Sequence, residues 1–117
     1  MKKIFAILTL LSATLFVYAG DKPTFPGGEA ALAKYLQENT RYPEIAKENG
    51  VEGIVVVGFI VNSDGSLKNI KVQKFVDPDL EKEAMRVVSG MPAWIPAEIN
   101  GSAVESSTTV EVPFLME

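Results

Sequence analysis

The sequence predicts a small α+β domain: a three-stranded antiparallel-type sheet in strand order 2-1-3, with helices packed on one face. Three observations carry that prediction. Gly53 to Val61 is an uncharged, β-branched run, and its continuous apolarity predicts burial on both faces or a central place in the sheet. Asn62-Ser63-Asp64-Gly65-Ser66 is hairpin-turn chemistry that returns the chain as a second strand. Apolar residues at helical spacing lie on both sides of that hairpin, so the order reads α-α-β-β-α-β.

The first nineteen of the 117 residues read as a signal peptide. Lys2 and Lys3 form a basic start, Ile4 to Phe16 an apolar run, and Val17-Tyr18-Ala19 places small residues at −3 and −1. An uncleaved anchor is the rival reading, but Ile4 to Gly20 is short for a bilayer span and no basic or aromatic stop follows it. Cleavage predicts an exported, periplasmic protein with no membrane span after processing. Residues 20–28 are then a lead-in rich in helix breakers, and residues 29–117 the domain.

Within the domain, Leu32, Tyr35 and Leu36 predict a helix from Glu29 to about Asn39. Tyr42-Pro43 ends its register, and Pro43 opens a short second helix, Glu44 to Glu48, closed by Asn49-Gly50. The second strand, Leu67 to Val76, carries Lys68, Lys71, Gln73 and Lys74, which suits a wet edge. Asp77 caps the third helix, Pro78 takes its first position, and Leu80, Ala84, Val87 and Val88 form its buried stripe up to Gly90. Met91 to Asn100 reads as a loop punctuated by Pro92 and Pro96. Trp94, held between those prolines, is read as an anchor to the core, with a contact site as the alternative. The third strand runs from about Ser106 to Met116 with Val110, Val112, Phe114 and Met116 alternating inward. A right-handed crossover places it beside the first strand, and Pro113 agrees with an edge position.

Composition excludes several classes of function. The formal charge of −4 falls by two to −6 when Lys2 and Lys3 leave, so the domain does not attract nucleic acid. Neither His nor Cys is present, which removes the commonest general base, thiol chemistry and thiolate metal sites. Asp77-Pro78-Asp79 is explained by helix capping, and Asn62, Asp64 and Ser66 by a turn rather than a calcium loop. Pro26-Gly27-Gly28 lacks the lysine of a phosphate loop, and Ser106 to Thr109 offers hydroxyls without a base. The reading is a binding module, not an enzyme, with no catalytic residues, no metal and no cofactor.

An ordered series of short pieces resembles the C-terminal domain of TonB, in the version common in Bacteroidetes-type bacteria. It begins with Phe25-Pro26-Gly27-Gly28-Glu29, Tyr42-Pro43 with Ala46, and Gly50 with Gly53. It continues through Val55, Val57, Phe59 and Val61 into Asp64-Gly65, then Asp77-Pro78, Leu80, Glu83-Ala84 and Arg86-Val87-Val88. Met91-Pro92, Trp94, Pro96, Gly101 and Val112-Pro113 complete it, with Ala97 standing where these relatives usually have Gly. The resemblance implies a periplasmic module that grips the plug peptide of TonB-dependent outer-membrane transporters by strand addition, in energy-coupled uptake. It implies a partner-binding stretch at Thr108, Thr109, Val110, Glu111, Val112 and Pro113. By strand parity from Pro113, Thr109 and Glu111 face outward with their backbone groups, while Val110, Val112 and Phe114 pair inward. Glu111 and Pro113 equally suit an edge blunted against aggregation, and an open edge is compatible with self-association. The alternative function is an adaptor or decoy bound to another envelope protein or to peptidoglycan.

Overall fold

Local chemistry fixes where the helices begin and end. The computed structural model describes residues 20–116, so the expected signal peptide lies outside the described residues. The elements are α1 (Glu29–Asn39), α2 (Glu44–Glu48), β1 (Gly53–Val61), β2 (Leu67–Lys74), α3 (Pro78–Ser89), β3 (Ala97–Ile99), β4 (Ser102–Val104) and β5 (Ser106–Phe114). Asp77 caps α3, its carboxylate accepting from the backbone N–H of Asp79 at 3.0 Å and of Leu80 at 3.2 Å. The helix buries the predicted stripe of Leu80, Ala84, Val87 and Val88. Burial of each of its larger aliphatic side chains contributes about 1.5–3 kcal/mol. α1 is held differently: Gly28 offers no capping side chain, and no residue of the helix is fully buried. Leu32, Tyr35 and Leu36 are half-buried against the core, and the Tyr35 hydroxyl donates to the Val87 carbonyl at 2.8 Å.

The main sheet has the predicted order, β2-β1-β5, with β1 antiparallel to both neighbours. β5 pairs with β1 without interruption from Gly53↔Phe114 to Val61↔Ser106. β2 pairs with two register shifts, between Val56/Val57 and between Gly58/Ile60. The helices cover one face. There Val55, Val57, Phe59 and Val61 meet Val110, Val112 and Phe114 beneath Leu80, Ala84, Val88 and Trp94. Phe25 of the lead-in belongs to the same core, and Thr24 pairs with Ile95 through two backbone bonds of 2.9 and 2.8 Å.

β1 takes the central place that is one of the two readings of its apolarity. The other, burial on both faces, does not hold, since Ile54 is 39% exposed and Val56 and Ile60 are half-buried. Two further expectations change. β2 stops at Lys74 and β5 at Phe114, two residues earlier than expected in each case. The stretch read as a loop contains β3, which pairs with β4 in a separate two-stranded ribbon. Asn100 and Gly101 join them with φ of 53° and 81°, the paired positive angles of a tight hairpin turn.

Candidate functional site

β5 has a paired side and a free side among the described residues. Pro113 stands opposite Ile54, and a proline without an N–H cannot exchange both bonds of a hydrogen-bonded pair. Alternation from that point makes Val56↔Glu111 and Gly58↔Thr109 non-hydrogen-bonded pairs too, so the backbone groups of Thr109 and Glu111 point away from β1. Of the six residues expected at the site, Thr109, Glu111 and Pro113 are exposed, Thr108 is half-buried, and Val110 and Val112 are core. One strand therefore presents a row of backbone groups outward while its own side chains anchor it.

A groove runs along that free edge, walled on its far side by α1. It consists of two adjoining hollows of about 720 and 490 Å³ that share Ala33, Leu36 and Glu111. The larger lies toward Trp94 and the lead-in, with Asp21, Lys22 and Glu29 at its rim. The smaller is lined by Thr40, Tyr42, Pro113, Phe114 and Leu115. Tyr42 fixes this end: its hydroxyl donates to the Val51 carbonyl, and its ring stands edge-on to Phe114 at 5.7 Å. Desolvation first, and then the nearby Glu52 carboxylate, pushes the Tyr42 hydroxyl above its ordinary pKa, so it remains a donor at neutral pH. Glu52 also accepts from the backbone N–H of Met116 at 2.6 Å, which holds the chain just past β5.

Four buried side-chain polar atoms have no hydrogen-bond partner among the described residues: Thr24 Oγ1, Thr40 Oγ1, Trp94 Nε1 and Ser106 Oγ. All four belong to residues that line the two hollows. Trp94 itself is 6% exposed, so it is a core anchor in this structure. The sequence does not reveal the α1 wall, since Leu32, Tyr35 and Leu36 predict a helix and no more. Spacing reveals a helix's apolar face but not that a groove leaves the face half-covered.

The carboxylates considered for chemistry have structural duties. Asp77 caps α3, and Asp64 accepts from the Ser66 N–H at 2.9 Å and hydroxyl at 2.6 Å. Those bonds, the hydroxyl's first, hold the Asp64 carboxyl below its usual range.

Residues 38–116 match the model of the family described as "Gram-negative bacterial TonB protein C-terminal". Two curated proteins named Protein TonB, from Helicobacter pylori strains J99 and 26695, are each 41% identical over 49 residues. That match takes in 42% of this chain but 18% and 17% of those relatives' lengths. An NMR solution structure of the H. pylori TonB C-terminal domain superposes with a TM-score of 0.56 at 23% identity, covering 73% of this chain and 77% of that one. A second, shorter one superposes at 0.55, also at 23% identity, covering 74% and 90%. These two likenesses establish the fold.

Proposed function

The chain belongs to the family of Gram-negative bacterial TonB C-terminal domains, and from that premise we propose that it is a periplasmic protein-binding module. Its partner is the plug peptide of a TonB-dependent outer-membrane transporter, taken up as an added strand along β5, in the service of energy-coupled transport. The observation that carries this reading is the free β5 edge lying beside an open groove. An extended peptide pairs its backbone with Thr109 and Glu111 and lays alternate side chains toward Leu32, Ala33 and Leu36 on α1. A proline on the free side already shows that this edge tolerates a missing donor without loss of the sheet.

Titration of isotope-labelled protein with transporter plug peptides tests the site. Backbone shifts are expected at Thr109 and Glu111 and along the α1 wall. Glu111→Pro should abolish binding and leave a cooperative fold. Val112→Pro should remove a ladder bond to β1 and cost about 3 kcal/mol or more of stability. Shifts confined to the Lys68–Lys74 edge, or no shifts at all, would exclude β5 as the docking strand.

A further inference from the structure

The face of the sheet opposite the helices carries a feature that strand docking on β5 does not use. Lys68, Lys71 and Lys74 are three residues apart, a spacing that in a regular strand would alternate faces. The two register shifts undo that alternation: Lys74 stands opposite Val56, Lys71 opposite Gly58 and Lys68 opposite Ile60. Cross-strand partners share a face, and this is the face away from the core. One shift is accompanied by Asn69 at φ 55°, a left-handed backbone that a non-glycine residue adopts at a cost. All three lysines are exposed. Lys68 is paired with Glu105 at 2.9 Å, whereas Lys71 and Lys74 make no ion pair among the described residues.

We propose that this open face is a second docking surface, and that it takes an extended acidic peptide segment of a protein partner. Two observations select that occupant. The first is charge: a chain of formal charge −4 sets three lysines on one uncovered face. Although Glu105 pairs Lys68 and Glu111 shares the face opposite Val56, Lys71 and Lys74 have no ion pair among the described residues. The second is pitch. The lysines sit opposite every second residue of β1, which places them about 7 Å apart along the sheet. An extended peptide repeats its same-side residues at the same interval, so carboxylates at alternate positions meet successive lysines. Val56 and Ile60 lie half-buried beside them, and the Gln73 side chain covers Gly58 between the two. Protecting an edge from aggregation needs only a charge or a bulge, and not three cations in register. A headgroup layer has no such pitch, although the exposed Phe75 next to Lys74 makes an anionic membrane the competing occupant.

The test uses two synthetic peptides of one composition, Glu-Thr-Glu-Thr-Glu-Thr and Glu-Glu-Glu-Thr-Thr-Thr, titrated at low ionic strength. The alternating peptide should bind several-fold more tightly and shift amides of β2 and of Val56 to Ile60. Lys71→Gln with Lys74→Gln should weaken it roughly tenfold, in keeping with the loss of two exposed ion pairs. The melting temperature of that variant should be unchanged, because both side chains are exposed. Equal affinity for the two peptides overturns the pitch argument. Shifts at Thr109 and Glu111 alone assign the peptide to β5 instead. Binding to phosphatidylglycerol vesicles with none to the peptides makes the surface a membrane one. Glu111→Pro blocks the β5 edge and removes a carboxylate that shares this face opposite Val56. It should therefore leave this binding intact or tighten it, and loss of binding would overturn the assignment to the face.

Discussion

Trp94 joins three parts of the chain that are far apart in sequence. Its ring stands edge-on to Phe25 of the lead-in at 5.9 Å and to Phe59 of β1 at 5.1 Å. Its backbone N–H donates to the Gly65 carbonyl at 2.8 Å. Gly65 has φ of 90°, and a side chain there would meet the Trp94 carbonyl oxygen, so the turn needs glycine twice over. Trp94→Ala should therefore cost about 3–5 kcal/mol. Trp94→Phe should recover most of that, because the indole N–H it deletes has no hydrogen-bond partner among the described residues. Urea midpoints followed by far-UV circular dichroism decide this, since both variants lack the chain's single tryptophan. A loss of less than about 1 kcal/mol in Trp94→Ala, together with failed peptide binding, would move Trp94 from the core to the contact site. The sequence leaves Trp94 as either a core anchor or a contact residue, because flanking prolines stiffen a loop without fixing which way the ring turns. Its 6% exposure comes from the tertiary packing.

At the scale of elements, the two long helices differ in how they are secured, and the difference is sensitive to pH. α3 has a side-chain cap and a buried stripe, while α1 has neither. The far end of α1 is tied to α3 by Glu83 and Arg86. Glu83 accepts from the Arg41 N–H at 2.7 Å and from Arg86, and Arg86 donates to the Asn39 carbonyl at 2.8 Å. The Arg86 hydrogen bond first, and then the Arg41 N–H, hold the Glu83 carboxyl below the ordinary value of 4.5. A carboxyl lowered in the folded state contributes stability that is fully present above the unfolded value and is lost as pH falls through the folded one. Amides of α1 should thus exchange faster than those of α3 and β1 at neutral pH, and lose further protection below about pH 4.5. Glu83→Gln should flatten that acid dependence, and an unchanged profile would mean that other carboxylates carry it. The helix ends were readable because caps and prolines act within a few residues. The β3–β4 ribbon is not legible in the sequence, because three-residue strands are too short to show alternation. Pro92 and Pro96 favour a loop there, and Asn100-Gly101 is the hairpin signal that runs against them.

For the whole molecule, the paired side of β5 could be inferred from Pro113, since one missing N–H sets the parity of an entire strand. The groove and the lysine ladder could not, because they depend on where α1 comes to rest and on register shifts that leave no periodicity. The same dependence on tertiary packing makes the lead-in a structural part of the domain. Phe25 is 7% exposed, lies 5.5 Å from the Tyr35 ring, and sits in one continuous core with residues of α2, β1, α3 and β5. Thr24 is bonded in both directions to Ile95, and the Gly20 carbonyl accepts from the Glu98 N–H at 2.7 Å. A core shared this widely should unfold as a unit, so tryptophan fluorescence and circular dichroism should give one coincident urea transition. Phe25→Ala should move both probes together and cost about 3–5 kcal/mol. That is a large share of the 5–15 kcal/mol usual for a domain, so much of the molecule's margin rests on residues ahead of its first helix. If fluorescence shifts in Phe25→Ala while the dichroism midpoint stays in place, the lead-in and Trp94 form a local unit that opens separately from the sheet.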